Sequence, residues 1–366
     1  MIKNKVIIIP LEGNFAHSAD FLRQTAFTLA AQDNQVYIYD QDNSYFWLKK
    51  PPKTSSSKYK NISFHVVRYF LPFRRIPMID GINKKLSFWI FLRTIKSKNK
   101  ILWLFYPRYH YLVDVVDKKT ISLYDCVDYH YQKRSEEMLV RKVNYFFVNS
   151  KSLYNLHKNK NPILIESQGF FIPKRNVVRE LAIRREKPII GFVGGINHRL
   201  DFVLLHELIK NNKQWQFVFC GPHQWDSIKD NRFKTKFWIE KIKKLKNVSF
   251  FPSVDREKLY QLIKSFDVAM IPYNTRIIFN RYCYPMKVFE YLYFGKHVVS
   301  TDIIELNEVI FSKFVSIAKN DKEFAGHIKR QLKEQKTKKE KETMRNMAIS
   351  NSWENKIKKI TEIIEN

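Results

Sequence analysis

The sequence predicts an α/β protein made of two doubly wound, Rossmann-like domains in tandem, with a cleft between them. Three observations lead there. Short, nearly uninterrupted apolar runs alternate with helical patterns, as expected of parallel strands covered on both faces. The alternation stops over residues 173–187, where Pro, Arg and Glu replace it, and then resumes. The length of 366 residues exceeds one ordinary core and suits two.

Taken in order, residues 5–10 read as a strand and 20–32 as a helix with Phe21 and Leu29 on its apolar face. Residues 35–39, 101–106, 120–125 and 145–149 read as further strands, with helices over 135–143 and 150–158 between them. After the linker at 173–187, a second series begins with a strand over 188–193 and a helix over 201–210. Strands at 215–220 and 247–251 follow, and Asp255 is placed to cap a helix over 256–266. A strand over 267–272 leads to a helix over 285–294, started by Pro285 and stopped by Gly295, and 297–301 returns to the sheet. Asp321 is read as the cap of a helix towards Glu334, 333–341 as a solvated charge run, and 353–364 as a final helix.

Composition narrows the class. Hydrophobic residues make up 45%, with 29 Phe and 19 Tyr, which excludes a disordered chain. Cys126, Cys220 and Cys283 form no CxxC pair, so neither a disulfide framework nor a zinc site is expected, and a reducing compartment fits. The apolar run near the start is too short for a secretory signal, and none approaches the roughly 18 residues needed to span a bilayer. The expected location is cytoplasmic, in solution or peripheral on the inner face of the membrane.

The formal charge of +30 draws polyanions: nucleic acid, an anionic leaflet or phosphorylated substrates. Lysine-rich usage in an AT-rich genome would give the same number. A nucleic-acid partner is not expected, since no RRM, helix-turn-helix or zinc signature occurs. Residues 68–75, with the cations from Lys84 to Lys100, interleave bulky apolar groups and charge in the manner of a membrane-surface contact. The alternative is a basic helix that packs a Leu86, Trp89 and Leu92 stripe into the core.

The most informative segment runs over 284–292 and 295–301. With Pro285 at the first helical position, the following N–H groups and the helix dipole would favour an anion there. Lys287 opposes that dipole unless a bound diphosphate accepts both charges. Glu290 shares its helix face and interrupts a run of Phe, Tyr and Leu, where a lone carboxylate would be costly. Hydrogen bonds from a ribose diol would offset that cost. On the residues alone, a plain Lys287–Glu290 surface pair fits equally well.

This segment resembles the donor-site signature of the GT-B glycosyltransferases, in particular the retaining family-4 group (glycosyl transferases group 1). The matching residues are Pro285, Lys287, Glu290, Tyr291, Leu292, Gly295, Lys296, Val298, Val299, Ser300 and Thr301. Similar pieces at 191–195, 201–202, 217–222 and 267–273 follow the family's order, and Ser352-Trp353 resembles the opening of its terminal helix. The resemblance implies domains at 1–172 and 173–351, with 352–366 packing back on the first. It implies that Glu290 binds the nucleotide ribose, that Pro285, Met286 and Lys287 hold the diphosphate, and that backbone near Pro252 meets the base. Gly194 and Gly195 would let the chain pass close to the phosphates.

In the first domain, Gly13 and Asn14 occupy the place of the family's glycine-bearing loop, and Asp128 resembles an acidic residue facing the reacting sugar. As an alternative, Asp128 caps the next segment; His17 and His130 read as ordinary loop histidines. Three positions depart from the pattern: Tyr282 replaces a glutamate, Tyr284 replaces an asparagine, and Gly195 stands where an arginine is usual. Arg199 is the nearest replacement cation.

The implied reaction moves a sugar, with retention, from a nucleoside-diphosphate donor to a glycan or lipid-linked acceptor in envelope polysaccharide synthesis. Arg199 and Lys287 would stabilise the leaving group and Asp128 would act on the sugar or acceptor. No metal and no cofactor beyond the donor substrate is expected. The alternatives are a non-catalytic subunit of the same fold that stabilises a partner glycosyltransferase, and a nucleic-acid-binding protein.

Overall fold

A computed structural model describes residues 2–11, 15, 20–45, 60–73, 75–173, 186–223, 229–334 and 336–365. The chain divides into two compact units. One comprises Met1–Gly169 with Trp353–Asn366, and the other Phe170–Ser352.

The first unit holds β1 (Val6–Leu11), α1 (Asp20–Ala30), β2 (Gln35–Tyr45), β3 (Ile62–Tyr69), α2 (Pro77–Thr94), β4 (Lys100–Leu104) and β5 (Ile121–Cys126). It continues through α3 (Lys133–Val140), β6 (Tyr145–Val148), α4 (Lys151–His157) and β7 (Ile163–Leu164). Its sheet is parallel with the order β3-β2-β1-β4-β5-β6-β7. The apolar runs that mark these strands are buried along β1 and β5, which is the cost-free place for side chains with no polar face.

The second unit holds β8 (Ile189–Val193), α5 (Phe202–Asn211), β9 (Gln216–Cys220), α6 (Lys229–Lys243), β10 (Val248–Phe251), α7 (Arg256–Ser265) and β11 (Val268–Ile271). It continues through α8 (Ile278–Arg281), α9 (Lys287–Tyr293), β12 (Val298–Thr301), β13 (Val315–Ala318), α10 (Asp321–Lys333) and α11 (Lys338–Ser350). This sheet is also parallel, in the order β10-β9-β8-β11-β12-β13. The strand order reverses between β8 and β11, and ligands of open α/β sheets bind at the carboxyl edge of such a reversal.

The expected doubly wound architecture is present in both units. Asp255 caps α7 by accepting the Lys258 N–H at 2.9 Å, as its position implied. Four readings need correcting or completing. The cap of α10 is Asn320, whose side chain accepts from Glu323 N, because Asp321 already lies inside the helix. The charge run over 333–341 is exposed at 333–334 and 337–341, as expected, but it also contains the start of α11, where Thr337 and Glu340 form a reciprocal capping box. In α2, Asn83, Ser87, Phe88 and Phe91 form the buried face, while Trp89 is 46% exposed. The stripe of Leu86, Trp89 and Leu92 is therefore not the core face. Pro285 also stands outside α9, before its N-cap Met286.

The last helix, α12 (Trp353–Glu365), belongs to the first unit. Ile357 and Ile360 join its core, and the Trp353 ring lies where a Cβ on Gly169 would come within 2.5 Å of it. Gly169 has φ +88°, so the close approach and the backbone both require glycine. A further tie is ionic. Lys356 Nζ lies 3.2 Å from both carboxylate oxygens of Asp125 at the end of β5, and both residues are fully buried. Trp103 Nε1 also donates to Asp125, at 3.4 Å. Removing one member leaves the other charge buried alone. Lys356→Met should therefore lower unfolding free energy by about 3–5 kcal/mol in urea titration, and the double variant Asp125→Leu/Lys356→Met should recover most of it.

Candidate functional site

The carboxyl edge of the second sheet is built around two close backbones. Gly194 follows β8 and Gly221 follows β9, and a Cβ on Gly221 would sit 2.0 Å from the Gly194 carbonyl oxygen. Both have left-handed φ, +133° and +152°. The Gly194 N–H donates to the Cys220 carbonyl at 2.9 Å, which fixes the turn. A Cβ on Gly194 would itself meet Lys287 Nζ at 3.1 Å, so the glycine leaves room for that ammonium.

Lys287 opens α9 and points to the end of β11. Its Nζ donates to the Tyr273 hydroxyl and lies 4.7 Å from the centre of that ring and 5.1 Å from Phe192. Arg199 reaches the same ring, with its guanidinium 4.8 Å from the Tyr273 centre and 4.6 Å from Phe279. Asn280 positions it by accepting from Arg199 Nε at 2.7 Å. The Asn280 amide also donates to the carbonyls of Arg199 and Asn274, each at 2.9 Å, and so ties the two loops together. Two cations therefore meet at one tyrosine beside the topological switch point.

Glu290 is buried and pairs with Arg256 Nη1 at 3.5 Å, not with Lys287. The surface-pair reading of Lys287 and Glu290 is thereby excluded. Arg256, at the first position of α7, also lies 3.4 Å from the Tyr260 hydroxyl and stacks 5.3 Å from Phe171.

The run of free N–H groups expected at the start of α9 is shorter than the sequence implied. The amides of Val288 and Phe289 donate to the carbonyls of Pro285 and Met286, both at 3.1 Å. A helix of seven residues has spent them inside its own first turn. Side chains, Arg199 and Lys287, bring positive charge to this edge.

Neighbouring motif residues hold this frame. The Tyr291 hydroxyl accepts the Val193 N–H at 2.9 Å, locking α9 to the end of β8. Thr301 Oγ1 donates to the Tyr273 carbonyl at 2.7 Å. Lys296 Nζ caps the end of α7 through the carbonyls of Lys264 and Phe266, both at 2.6 Å. Tyr284, where the pattern has asparagine, packs edge-on against Phe289 and Phe311 and is core. The Pro252 carbonyl, at the end of β10, accepts from Cys220 Sγ at 3.3 Å, and Gly195 is half-buried beside Gly194.

In the first unit, Gly13, Asn14 and His17 lie outside the described residues. Asp128 follows β5 at that sheet's carboxyl edge, half-buried, with its carbonyl accepting from Cys126 Sγ at 3.4 Å. Burial, then the charge of Asp128, pushes the Tyr106 phenol up to about 12. Burial holds His130 down near about 4, so at neutral pH it is an uncharged imidazole.

Deeper in this unit, Cys126, Glu136 and His157 bring ligand-type atoms within 4.8 Å of one another. The ammonium groups of Lys133 and Lys160 lie 3.7 and 3.9 Å from Glu136, and the Tyr124 hydroxyl donates to it at 3.0 Å. Burial raises the Cys126 thiol well above its usual value, which keeps it protonated. With its carboxylate already compensated by two cations, this cluster reads as a polar core network, not a metal centre.

Sequence reasoning missed Tyr273, Asn280 and Arg256. The signal for Arg256 was its place directly after the helix cap Asp255. Tyr273 was visible only as part of a strand end, and nothing in the sequence pairs Asn280 with Arg199, 81 positions away.

Residues 173–351 match the sequence profile of the family described as glycosyl transferases group 1. The TuaH protein of Bacillus subtilis (strain 168), named provisionally as a teichuronic acid biosynthesis glycosyltransferase, is 25% identical over 191 residues. That match covers 52% of this chain and 46% of the relative, so the chain spans about half of that protein's length. Among solved structures, sucrose-phosphate synthase from Thermosynechococcus elongatus has a TM-score of 0.76 at 13% identity, covering 99% of this chain and 98% of that one. HepE of Anabaena in complex with UDP has a TM-score of 0.68 at 12% identity, with 99% and 98% covered. A glycosyltransferase from Rickettsia africae gives 0.66 at 15% identity, with the same coverage. These likenesses show the fold, which is that of the GT-B class.

The contact between Gly194 and Gly221 gives a direct test of the frame. Gly221→Ala should lower the thermal midpoint, since its Cβ collides with backbone. Gly326→Ala, in the interior of α10 with nothing within 4 Å, should raise it through about 0.5–1 kcal/mol of helix propensity.

Proposed function

We propose, from the match of residues 173–351 to the glycosyl transferases group 1 profile, that the chain is a glycosyltransferase that uses a nucleoside-diphosphate sugar. The observation that carries this reading is the pair of cations, Arg199 and Lys287, converging on Tyr273 at the switch point of the second sheet. Like charges so placed repel one another, and an anion bound between them relieves that repulsion. A diphosphate supplies it. The solved HepE complexes contain UDP and UDP-glucose, which supports a nucleotide donor of this kind here.

Glu290 binds the ribose hydroxyls in this reading. Its carboxylate is held by Arg256 at 3.5 Å, and in this reading the ribose diol donates to it as well. Pro285 and Met286 set the turn from which Lys287 reaches the phosphates. Gly194 and Gly195 allow backbone to pass close to them, and the strand end at Pro252 lies in the place of the base. As the bond between sugar and diphosphate breaks, negative charge grows on the leaving phosphate, and Lys287 and Arg199 stabilise it. The acceptor hydroxyl forms the new bond to the anomeric carbon and gives its proton to the departing phosphate oxygen. Attack on the same face retains configuration, as the family resemblance implies. Asp128 orients the acceptor or steadies the cationic sugar.

The acceptor is a glycan or lipid-linked saccharide of the cell envelope, a class supported by the name of the Bacillus relative. No described helix is long and apolar enough to cross a membrane. Contact with an anionic surface is proposed through the first unit, where Phe73 is 70% and Met78 72% exposed beside Arg75 and Lys84.

Thermal-shift measurement with UDP, GDP, ADP, CDP and dTDP sugars should find one that stabilises the parent and leaves Glu290→Ala unmoved. A panel that shifts neither protein, or both equally, would reject the donor assignment. Since Lys287 and Arg199 supply the positive charge, EDTA should leave turnover unchanged; loss of turnover restored by manganese would show that a metal shares the work.

A further inference from the structure

In the second unit, α6 carries a face that the donor site does not use. Thr235, Ile239 and Ile242 are its buried stripe. Phe233 and Phe237, spaced four apart, are 59% and 60% exposed. At about 100° per residue they project from the side directly opposite the core stripe, where a soluble helix normally carries charge. Lys236 stands exposed on one flank and Lys234 and Lys241 on the other. Lys241 Nζ lies 4.9 Å from the centre of the Trp238 ring and 5.9 Å from that of Phe237, so its charge sits against the aromatic rings on that flank. From 229 to 246 the sequence holds eight Lys or Arg against two acids.

We propose that this face of α6 is an interfacial contact for an anionic lipid bilayer, with Phe233 and Phe237 entering the headgroup boundary and the flanking lysines meeting lipid phosphates. Two side chains are far too small an area for a stable protein interface, but insertion into a fluid surface requires no complementary partner shape. The cations on the flanks are mainly lysines, mobile point charges suited to a diffuse layer of headgroups instead of one fixed bidentate acceptor. The net charge of +30 adds long-range attraction to the same surface. The inference stands apart from the donor assignment and concerns a different unit from the Phe73 and Met78 contact.

The test is flotation of the full chain with vesicles of phosphatidylcholine alone, or mixed with phosphatidylglycerol, at low and high salt. The parent should float only with the anionic vesicles and release at high salt. Phe233→Ser/Phe237→Ser should reduce partitioning about tenfold or more while keeping the parent's thermal midpoint. Lys234→Gln/Lys241→Gln should reduce it too and flatten the salt dependence. Phe73→Ser/Met78→Ser, run alongside, reports the first unit's contact separately. The proposal is overturned if the parent fails to float on anionic vesicles, or if Phe233→Ser/Phe237→Ser floats as the parent does.

Discussion

Two positive groups share one aromatic ring at the carboxyl edge of the second sheet, and much of the surrounding structure serves to keep them there. Arg199 is held by Asn280, and Lys287 by the Tyr273 hydroxyl. The ring is positioned in turn by Thr301, which ties the Tyr273 backbone to β12. Each restraint comes from a different element, so the pair cannot relax by moving one loop. Holding cations together without a bound anion costs free energy, and scaffolds that do so favour an anionic ligand as its charge increases.

The glycines explain how the backbone allows it. Gly194 and Gly221 meet at a separation that excludes any side chain on Gly221, and Gly194 faces the Lys287 ammonium. Larger residues would push β8 and β9 apart at their ends and move the turn away from the cations. Tyr291 contributes by accepting the Val193 amide, so the helix bearing Lys287 and the strand that leads into Gly194 are fixed to each other. Residues that look like a signature in the sequence thus divide into Lys287, which turns to Tyr273, and several that hold its neighbours still.

The first unit shows a different use of charge. Asp125 and Lys356 are 231 positions apart and lie together inside the core, so the terminal helix is placed by a contact that tolerates little displacement. A buried ion pair is weak as a source of stability but discriminating as to geometry, since either partner alone is strongly unfavourable there. The Glu136 cluster follows the same logic, with two lysines and a tyrosine hydroxyl around one carboxylate.

The sequence by itself determined the two doubly wound sheets, because uninterrupted apolar strands have few other places to go, and it marked Lys287 and Glu290 through their shared helix face, while Gly194 and Gly195 were marked by the family resemblance. Its helix boundaries went wrong where polar residues compete for the cap, as at Asn320 and Asp321, or where charge hides a capping box, as at Thr337 and Glu340. Only the tertiary structure decided that Glu290 answers to Arg256, that Lys287 turns to Tyr273, and that Arg199 joins it there. Periodicity reports which face of an element is buried, but partners on separate elements are chosen by how those elements pack. The same local packing binds the Val288 and Phe289 amides within the first turn of α9, which periodicity does not report.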